Sequence, residues 1–192
     1  MKNVSLAEIH NYDQIQKELC TQFFNLIEAR DSTHADQILR EGVKTYTGFV
    51  SEDTTPELYK FIKSLRYGKI VNITYWVTGI FTKNKPHVDG TSKFVPNIKL
   101  IMPVINCEGT MTKWFDYSDT LEFVRHKNLE FFKPIDESLL VEVDSIEMTY
   151  PIWARVDRVH AVLNPNTRIR VACSIIFENQ SQLTQDFLNS VI

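Results

Sequence analysis

The front of the chain, residues 1–67, carries apolar side chains at helical spacing. They recur at three- and four-residue steps, with a looser interval near Tyr12, at the following positions: Leu6, Ile9, Ile15, Leu19, Phe23, Leu26 and Ile27. This spacing predicts an amphipathic helix. We predict a second helix over residues 35–41, ended by Gly42. A third runs from Pro56 to residue 65, because proline suits the first turn of a helix.

The following part, residues 68–180, is patterned for strands. Runs rich in β-branched and aromatic residues, separated by Gly, Pro and Asn, cover residues 69–81, 97–105, 139–148, 155–163 and 168–177. Several strands at short intervals without helices between them predict a mainly β fold of the α+β class, built as an antiparallel sandwich or barrel. A last short helix is predicted over residues 182–191.

The composition fits one domain of enzyme size and indicates no strongly charged partner. The chain has 192 residues, of which 43% are apolar, enough for one sizeable core. We therefore expect a single domain over residues 1–192, in which the helical front backs the β core. The formal net charge is −3, so no basic surplus indicates nucleic-acid binding.

Cysteine usage and the lengths of apolar runs indicate a reducing compartment away from membranes. The three cysteines, Cys20, Cys107 and Cys173, form no CxxC pair, which argues against a disulfide framework or a zinc ribbon. No apolar run approaches the roughly 18 residues of a membrane span. The N-terminal residues also lack the apolar stretch of a secretory signal. We expect a cytoplasmic protein.

A candidate metal site lies in the β part of the chain. His87 and Asp89 form a His-x-Asp motif, and His160 follows much later on a predicted strand. Two histidines and one carboxylate can take one face of an octahedral Fe(II) and leave the other face open for a chelating ligand and O₂. Pro86 and Gly90 flank the motif, so we expect it at a strand end, where residues i and i+2 project the same way.

The strand after His160 presents an unusual polar face. Alternation puts four side chains on one face, with apolar residues on the other: Arg168, Arg170, Ala172 and Ser174. Small residues beside an arginine suit the wall of a pocket. Likewise, His160 shares its face with Arg158 and Val162. The turn sequence of residues 164–167 makes the two strands antiparallel neighbours, so His160 and Arg170 can approach one cavity.

These pieces resemble the Fe(II)/2-oxoglutarate-dependent oxygenase superfamily, in the compact prolyl-hydroxylase-like form common in bacteria and phages. The matching segments are residues 86–90 (PHVDG), 97–100 (NIKL), 106–110 (NCEGT), 160–164 (HAVLN) and 170–174 (RVACS). The resemblance implies a double-stranded β-helix, or jelly roll, supported by the N-terminal helices. It also implies that His87, Asp89 and His160 hold Fe(II).

The resemblance further implies a co-substrate and a reaction. 2-Oxoglutarate would chelate the iron with its distal carboxylate on Arg170, because arginine makes a planar, bidentate pair with a carboxylate. Arg170 is favoured over Arg168 because its spacing from His160 matches the basic residue of the family. With O₂, such an enzyme releases succinate and CO₂ and hydroxylates its substrate, here an amino-acid side chain, a peptide or a small metabolite.

Other residues near the motif are further candidates. Asn97, Tyr75 and Ser174 lie on predicted strands and could contact 2-oxoglutarate, although Tyr75 equally suits the core. Residues 91–96 and 113–136, the latter rich in aromatic and charged side chains, could form a lid that selects the substrate. A peripheral hairpin or an oligomer contact is the alternative interpretation of residues 113–136.

Two other classes of function remain compatible with the sequence. A cupin-like isomerase or hydrolase could use the same His/Asp/His set with another divalent metal, although Arg170 would then have no carboxylate to anchor. The second class is a non-catalytic jelly-roll module that only binds a ligand, and the intact triad argues against it. The expected partner is a small molecule or a peptide.

Overall fold

The computed structural model describes residues 3–29, 43–89, 96–125 and 131–190. Within these ranges, α-helices lie at Tyr12–Glu28 (α1), Pro56–Ser64 (α2) and Gln180–Asn189 (α3). The strands, in chain order, are β1 Val4–Leu6, β2 Val43–Thr47, β3 Ile70–Thr78, β4 Thr82–Lys83, β5 Val88–Asp89, β6 Ile98–Ile105, β7 Met111–Asp116, β8 Phe123–Arg125, β9 Phe131–Pro134, β10 Val141–Glu147, β11 Ile152–Arg155, β12 His160–Asn164 and β13 Arg170–Phe177.

The described strands form antiparallel sheets. The largest has six strands in the order β1-β11-β6-β13-β3-β2, and a second has four strands in the order β10-β7-β12-β4. A three-stranded sheet has the order β5-β9-β8. The prediction of a mainly β, antiparallel fold is confirmed. Side chains from the two larger sheets line one cavity between them.

The helix α1 covers the outer face of the large sheet. Ile15, Leu19 and Phe23 are at most 1% exposed, and they pack with sheet residues that include Tyr75 and Leu100. Burial of this apolar surface is the main favourable contribution to the packing of α1 on the sheet. Because α1 seals the outer face, the inner face of the same strands is the one available to a ligand.

The N-terminus of α2 is capped by a carboxylate of α1. The Glu18 oxygens accept hydrogen bonds from the backbone N–H groups of Glu57 and Leu58, at 3.0 and 3.1 Å. These donors have no partner within the helix, and a negative charge near them is stabilising. Glu18 is therefore a buried carboxylate with a structural task, and it fixes α2 against α1.

The front of the chain differs from the single long helix that its apolar spacing predicts. Val4–Leu6 form β1, which pairs with β11 at the edge of the large sheet, and Leu6 is 63% exposed. The helix α1 begins at Tyr12, after Asn11 takes a left-handed conformation at φ 59°. A three-residue strand is too short to show the two-residue alternation of a β-strand. Its apolar residue Leu6 also fits the helical spacing of the residues that follow, so the sequence predicted a helix there.

The other predicted helices have different outcomes. The helix starting at Pro56 and the last helix are confirmed, with observed bounds Pro56–Ser64 and Gln180–Asn189. The helix predicted over residues 35–41 lies outside the described residues. None of the helices in the described part of the chain combines the length and the apolar character needed to cross a bilayer.

One predicted strand, residues 155–163, is two strands in different sheets. β11 ends at Arg155 in the large sheet, and β12 begins at His160 in the four-stranded sheet. Between them, Val156 N donates to Asn97 O at 3.0 Å as the chain passes from one sheet to the other. Arg158 therefore lies before β12 and does not share a strand face with His160.

Phe23→Ala is expected to destabilise the fold far more than Phe24→Ala. Phe23 is 1% exposed and its ring contacts Tyr46 and Tyr75, whereas the adjacent Phe24 is 50% exposed. Truncating a buried phenylalanine costs about 3–5 kcal/mol in the free energy of unfolding. Chemical denaturation of the two variants measures the difference, and equal losses would contradict the packing of α1 on the sheet.

Candidate metal centre

Two histidines far apart in sequence are held side by side by backbone pairing. His87 N donates to His160 O, and His160 N donates to His87 O, each at 2.9 Å. Residues that are directly paired across antiparallel strands project their side chains to the same face. The two imidazole rings accordingly lie 4.4 Å apart between centroids, and each residue is 5% exposed.

Asp89 joins the same cluster because it lies two residues after His87. Its backbone N–H donates to Val156 O at 3.0 Å, which fixes the end of β5. Asp89 Oδ1 lies 3.5 Å from His87 Nε2, and Asp89 Oδ2 lies 3.9 Å from His160 Nε2. One possible ligand atom from each of the three buried residues lies within 4.8 Å of the others.

Backbone carbonyls orient both imidazole rings. The carbonyl of Lys85 lies 2.8 Å from His87 Nδ1, and the carbonyl of Arg158 lies 3.0 Å from His160 Nδ1. Because a carbonyl can only accept, each Nδ1 must carry a proton, and Nε2 is the ring nitrogen that faces the cluster. The same hydrogen bond to the far ring nitrogen orients most metal-bound histidines in proteins.

A buried lysine that the sequence analysis did not single out contacts the cluster. Lys99 Nζ lies 2.7 Å from Asp89 Oδ2, and the two side chains are 8% and 7% exposed. The ammonium also lies over the Trp76 ring, 5.6 Å from its centroid. The signal that could have found Lys99 is its position in the otherwise apolar strand β6, since lysine is almost never fully buried without a partner.

Burial and neighbouring charges shift the pKa values of the cluster. Burial alone raises the pKa of Asp89, but the neighbouring positive charge of the Lys99 ammonium holds it well below its usual range. Burial, together with the nearby His87, lowers the pKa of His160 to about 4. At neutral pH these residues therefore present a carboxylate and an uncharged imidazole, which are the forms that bind metal ions.

Arg170 lies in the same cavity as the cluster of His87, Asp89 and His160. The cavity has a volume of about 520 Å³ including its open mouth. Arg170 is 3% exposed, and its Nε has no hydrogen-bond partner among the described residues. Burial lowers the pKa of Arg170, although arginine stays protonated in proteins. An anionic ligand in the cavity would satisfy this buried donor.

The polar face predicted for the last strand does line the cavity along β13. Arg170, Ala172 and Ser174 are all cavity residues, as their alternation predicts. Ser174 Oγ accepts a hydrogen bond from Trp76 Nε1 at 2.8 Å, so its hydroxyl positions the indole ring. Trp76 and Thr112 also line the cavity, although no sequence pattern singled them out.

Three candidate residues lie outside this cavity. Tyr75 is on the opposite face of β3 and packs beneath α1, because side chains alternate and Trp76 faces the cavity. Asn97 precedes β6, and its side chain donates to Thr184 Oγ1 of α3 at 3.3 Å. Arg168 precedes β13 and lines a separate, open depression. The structure therefore corrects the expectation that these three could contact a ligand beside the cluster.

The region predicted as a lid has two different parts. Residues 113–116 belong to β7, where Trp114 is 1% exposed, so this part is core. The β8–β9 hairpin pairs with β5 instead, with Phe132 opposite Val88 and Phe131 opposite Asp89. The hairpin thus borders the strand that carries the Asp89 carboxylate, and its action as a lid stays a prediction. Residues 91–95 lie outside the described part.

The donor set fits a divalent transition metal with an anionic co-ligand. Two imidazoles whose Nε2 atoms face one carboxylate are the combination that holds non-haem Fe(II) and leaves positions open. The unpartnered Nε of Arg170 in the same cavity fits the far end of a chelating acid. The His/Asp/His cluster and Arg170 are different residues, and both fit an anionic ligand that chelates a metal ion.

Solved structures share the fold of this chain, although no family model and no curated protein matches its sequence. The non-heme alpha ketoglutarate dependent epimerase SnoN from nogalamycin biosynthesis matches with a TM-score of 0.53 and 10% identity, over 92% of this chain and 78% of that one. A prolyl hydroxylase from Trichoplax adhaerens, in complex with a hypoxia inducible factor peptide, matches with a TM-score of 0.52 and 11% identity, over 93% and 84%.

A third structure, the non-heme monooxygenase ThoJ in its apo form, matches with a TM-score of 0.52 and 13% identity, over 92% of this chain and 74% of that one. The chain spans about half, 49%, of another matched structure, E. coli ycfD, at a TM-score of 0.44. The chain therefore has an Fe(II)/2-oxoglutarate oxygenase-like fold, the double-stranded β-helix. At this level of identity the likeness concerns the fold alone.

Alanine substitution of His87, Asp89 or His160 is expected to abolish binding of a divalent cation such as Co²⁺ at the cluster. Each change removes one converging donor, and the loss should exceed the roughly 10–100-fold that removal of an outer partner costs. Titration calorimetry measures the affinity, with the exposed His10→Ala as control. Unchanged Co²⁺ affinity in the three variants would exclude this cluster as the metal site.

Proposed function

We propose that this protein is an Fe(II)- and 2-oxoglutarate-dependent dioxygenase that hydroxylates an amino-acid side chain, a peptide or a small metabolite. The observation that carries the proposal is the content of one cavity. It holds a His/Asp/His cluster together with a buried arginine whose Nε lacks a partner among the described residues. The cluster suits Fe(II), and the arginine suits the distal carboxylate of a chelating diacid.

The proposal assigns a role to each of these residues. His87 and His160 would bind Fe(II) through Nε2, and Asp89 through one carboxylate oxygen. Arg170 would bind the distal carboxylate of 2-oxoglutarate. When bound, the iron and 2-oxoglutarate supply the oxidising chemistry, in which 2-oxoglutarate and O₂ give succinate and CO₂ and the substrate is hydroxylated.

The chain itself would contribute orientation and exclusion of water. The carbonyls that bind both Nδ1 atoms keep the Nε2 atoms of the histidines directed into the cluster. Trp76, Ile101 and Val162 give the cavity apolar walls, which strengthen a charge-assisted pair at Arg170 because they keep the local polarity low. Arg170 itself lies on β13, all of whose residues are buried, so the anchor is held rigidly.

Substrate selection is proposed to lie with the β8–β9 hairpin, which borders the strand that carries Asp89. Because β9 pairs with β5, changes in the hairpin can reach the Asp89 strand through the backbone. One solved structure of the same fold is an epimerase, so the fold is also compatible with a reaction other than hydroxylation. A gain of one oxygen atom in the product distinguishes hydroxylation from epimerisation, which leaves the mass unchanged.

The competing classes of function use fewer of the observed features. A cupin-like isomerase or hydrolase would use the His/Asp/His cluster but would leave Arg170 without a ligand. A non-catalytic binding module would need neither an oriented triad nor a chelating acid. Consumption of 2-oxoglutarate separates the proposed dioxygenase from both.

Protein supplied with Fe(II) is expected to convert 2-oxoglutarate to succinate in air, and Arg170→Ala is expected to weaken 2-oxoglutarate binding. Loss of a hydrogen bond to a charged group costs about 1.5–3 kcal/mol, which is roughly 10–150-fold in affinity. Nuclear magnetic resonance follows succinate, and titration of the Co²⁺-loaded protein gives the affinity for 2-oxoglutarate.

Arg168→Ala is the matched control, because it removes the same side chain two residues earlier and outside the cavity. Its 2-oxoglutarate affinity should equal that of the wild type. Equal affinity in wild type and Arg170→Ala would reject the anchor. Failure of the wild type both to bind 2-oxoglutarate and to form succinate would overturn the dioxygenase proposal and leave the cupin-like enzyme and the non-catalytic module as the remaining classes.

A further inference from the structure

The ion pair between Lys99 and Asp89 differs from two other lysine pairs in its burial. The side chains of Lys99 and Asp89 are 8% and 7% exposed, whereas Lys60 is 70% and Lys113 is 29% exposed in their pairs. Exposed pairs of this kind contribute little to stability. A buried pair is different, because removal of one partner leaves the other charge without compensation.

The charges that line the cavity are unbalanced. Among the described lining residues, one carboxylate, Asp89, faces two cations, Lys99 and Arg170. The Lys99 ammonium already neutralises Asp89 at 2.7 Å. A divalent cation bound by Asp89 would therefore join a cavity that holds a surplus of positive charge, and like charges in a buried site disfavour one another.

We propose that Lys99 is the resident counter-cation of Asp89 and makes metal binding depend on an anionic co-ligand. Without metal, the ammonium satisfies the buried carboxylate, and the Trp76 ring offers it a second favourable contact. With metal alone, Lys99 opposes the added charge. With metal and a dianion together, the added charges cancel, and the opposition disappears.

This arrangement couples two binding events. A dianion such as 2-oxoglutarate strengthens metal binding, and the metal strengthens dianion binding by the same factor, because coupling free energies are reciprocal. The inference rests on the proposed function for the identity of the dianion. The effect of Lys99 on the metal alone does not depend on that identity, so the two can be tested separately.

The experiment measures Co²⁺ affinity by calorimetry, with and without 2-oxoglutarate, in the wild type and in Lys99→Gln. Glutamine removes the charge but keeps an N–H donor for Asp89. Lys99→Gln is expected to bind Co²⁺ alone at least about tenfold more tightly, since a like charge a few ångströms away changes a proton-binding constant by that much or more. The strengthening by 2-oxoglutarate should shrink by the same factor.

Three further variants keep the result interpretable. Lys113→Gln removes the charge of an exposed lysine paired with Glu142, and its Co²⁺ affinity should equal that of the wild type. Lys99→Arg keeps the charge and should keep the weak Co²⁺ binding. Lys99→Met repeats the charge removal without a hydrogen-bond donor, and it replaces Lys99→Gln as the test if that variant does not fold.

Unchanged or weaker Co²⁺ binding in the charge-removed variant would overturn the proposal and would leave Lys99 as a residue that only orients Asp89. If 2-oxoglutarate leaves the Co²⁺ affinity of the wild type unchanged, the coupling and the proposed co-substrate both fail. The comparison of wild type and Lys99→Gln with metal alone still decides whether Lys99 opposes the cation.

Discussion

The whole candidate site depends on one pair of backbone hydrogen bonds, between His87 and His160. They join β12 to the segment that leads into β5, and they set which side chains of the two segments face each other. A shift of one residue in this pairing would turn one ring to the opposite face. The position of Asp89 follows from that of His87, because residues i and i+2 of a strand share a face.

The alternation of side chains made part of the site predictable from the sequence. Arg170, Ala172 and Ser174 were placed on one face and do line one cavity, since period two holds within a single strand. The sequence of a single strand does not show which of its two faces is turned toward a cavity. The sequence therefore could not show that Trp76 of β3 faces the cavity while its neighbour Tyr75 faces the opposite side.

Lys99 was missed for a different physical reason. A lysine within an apolar strand predicts a buried partner, but that partner lies on β5, in another sheet. Arg158 and Asn97 show a related limit, because the chain leaves the strand geometry near each of them. Patterns along the chain predicted the longer elements, such as β3, β6 and β13, whereas the short strands and the crossings between sheets depend on long-range contacts.

Arg170 and Asp89 lie on strands of very different length. Arg170 belongs to an eight-residue strand that is buried throughout and paired on both sides, whereas Asp89 belongs to a strand of two residues. Amides of long, buried central strands exchange with solvent only through large-scale unfolding, and short peripheral pairings open locally at much lower cost. Opening of the backbone pairing at Asp89 should therefore cost much less free energy than opening of the pairing at Arg170.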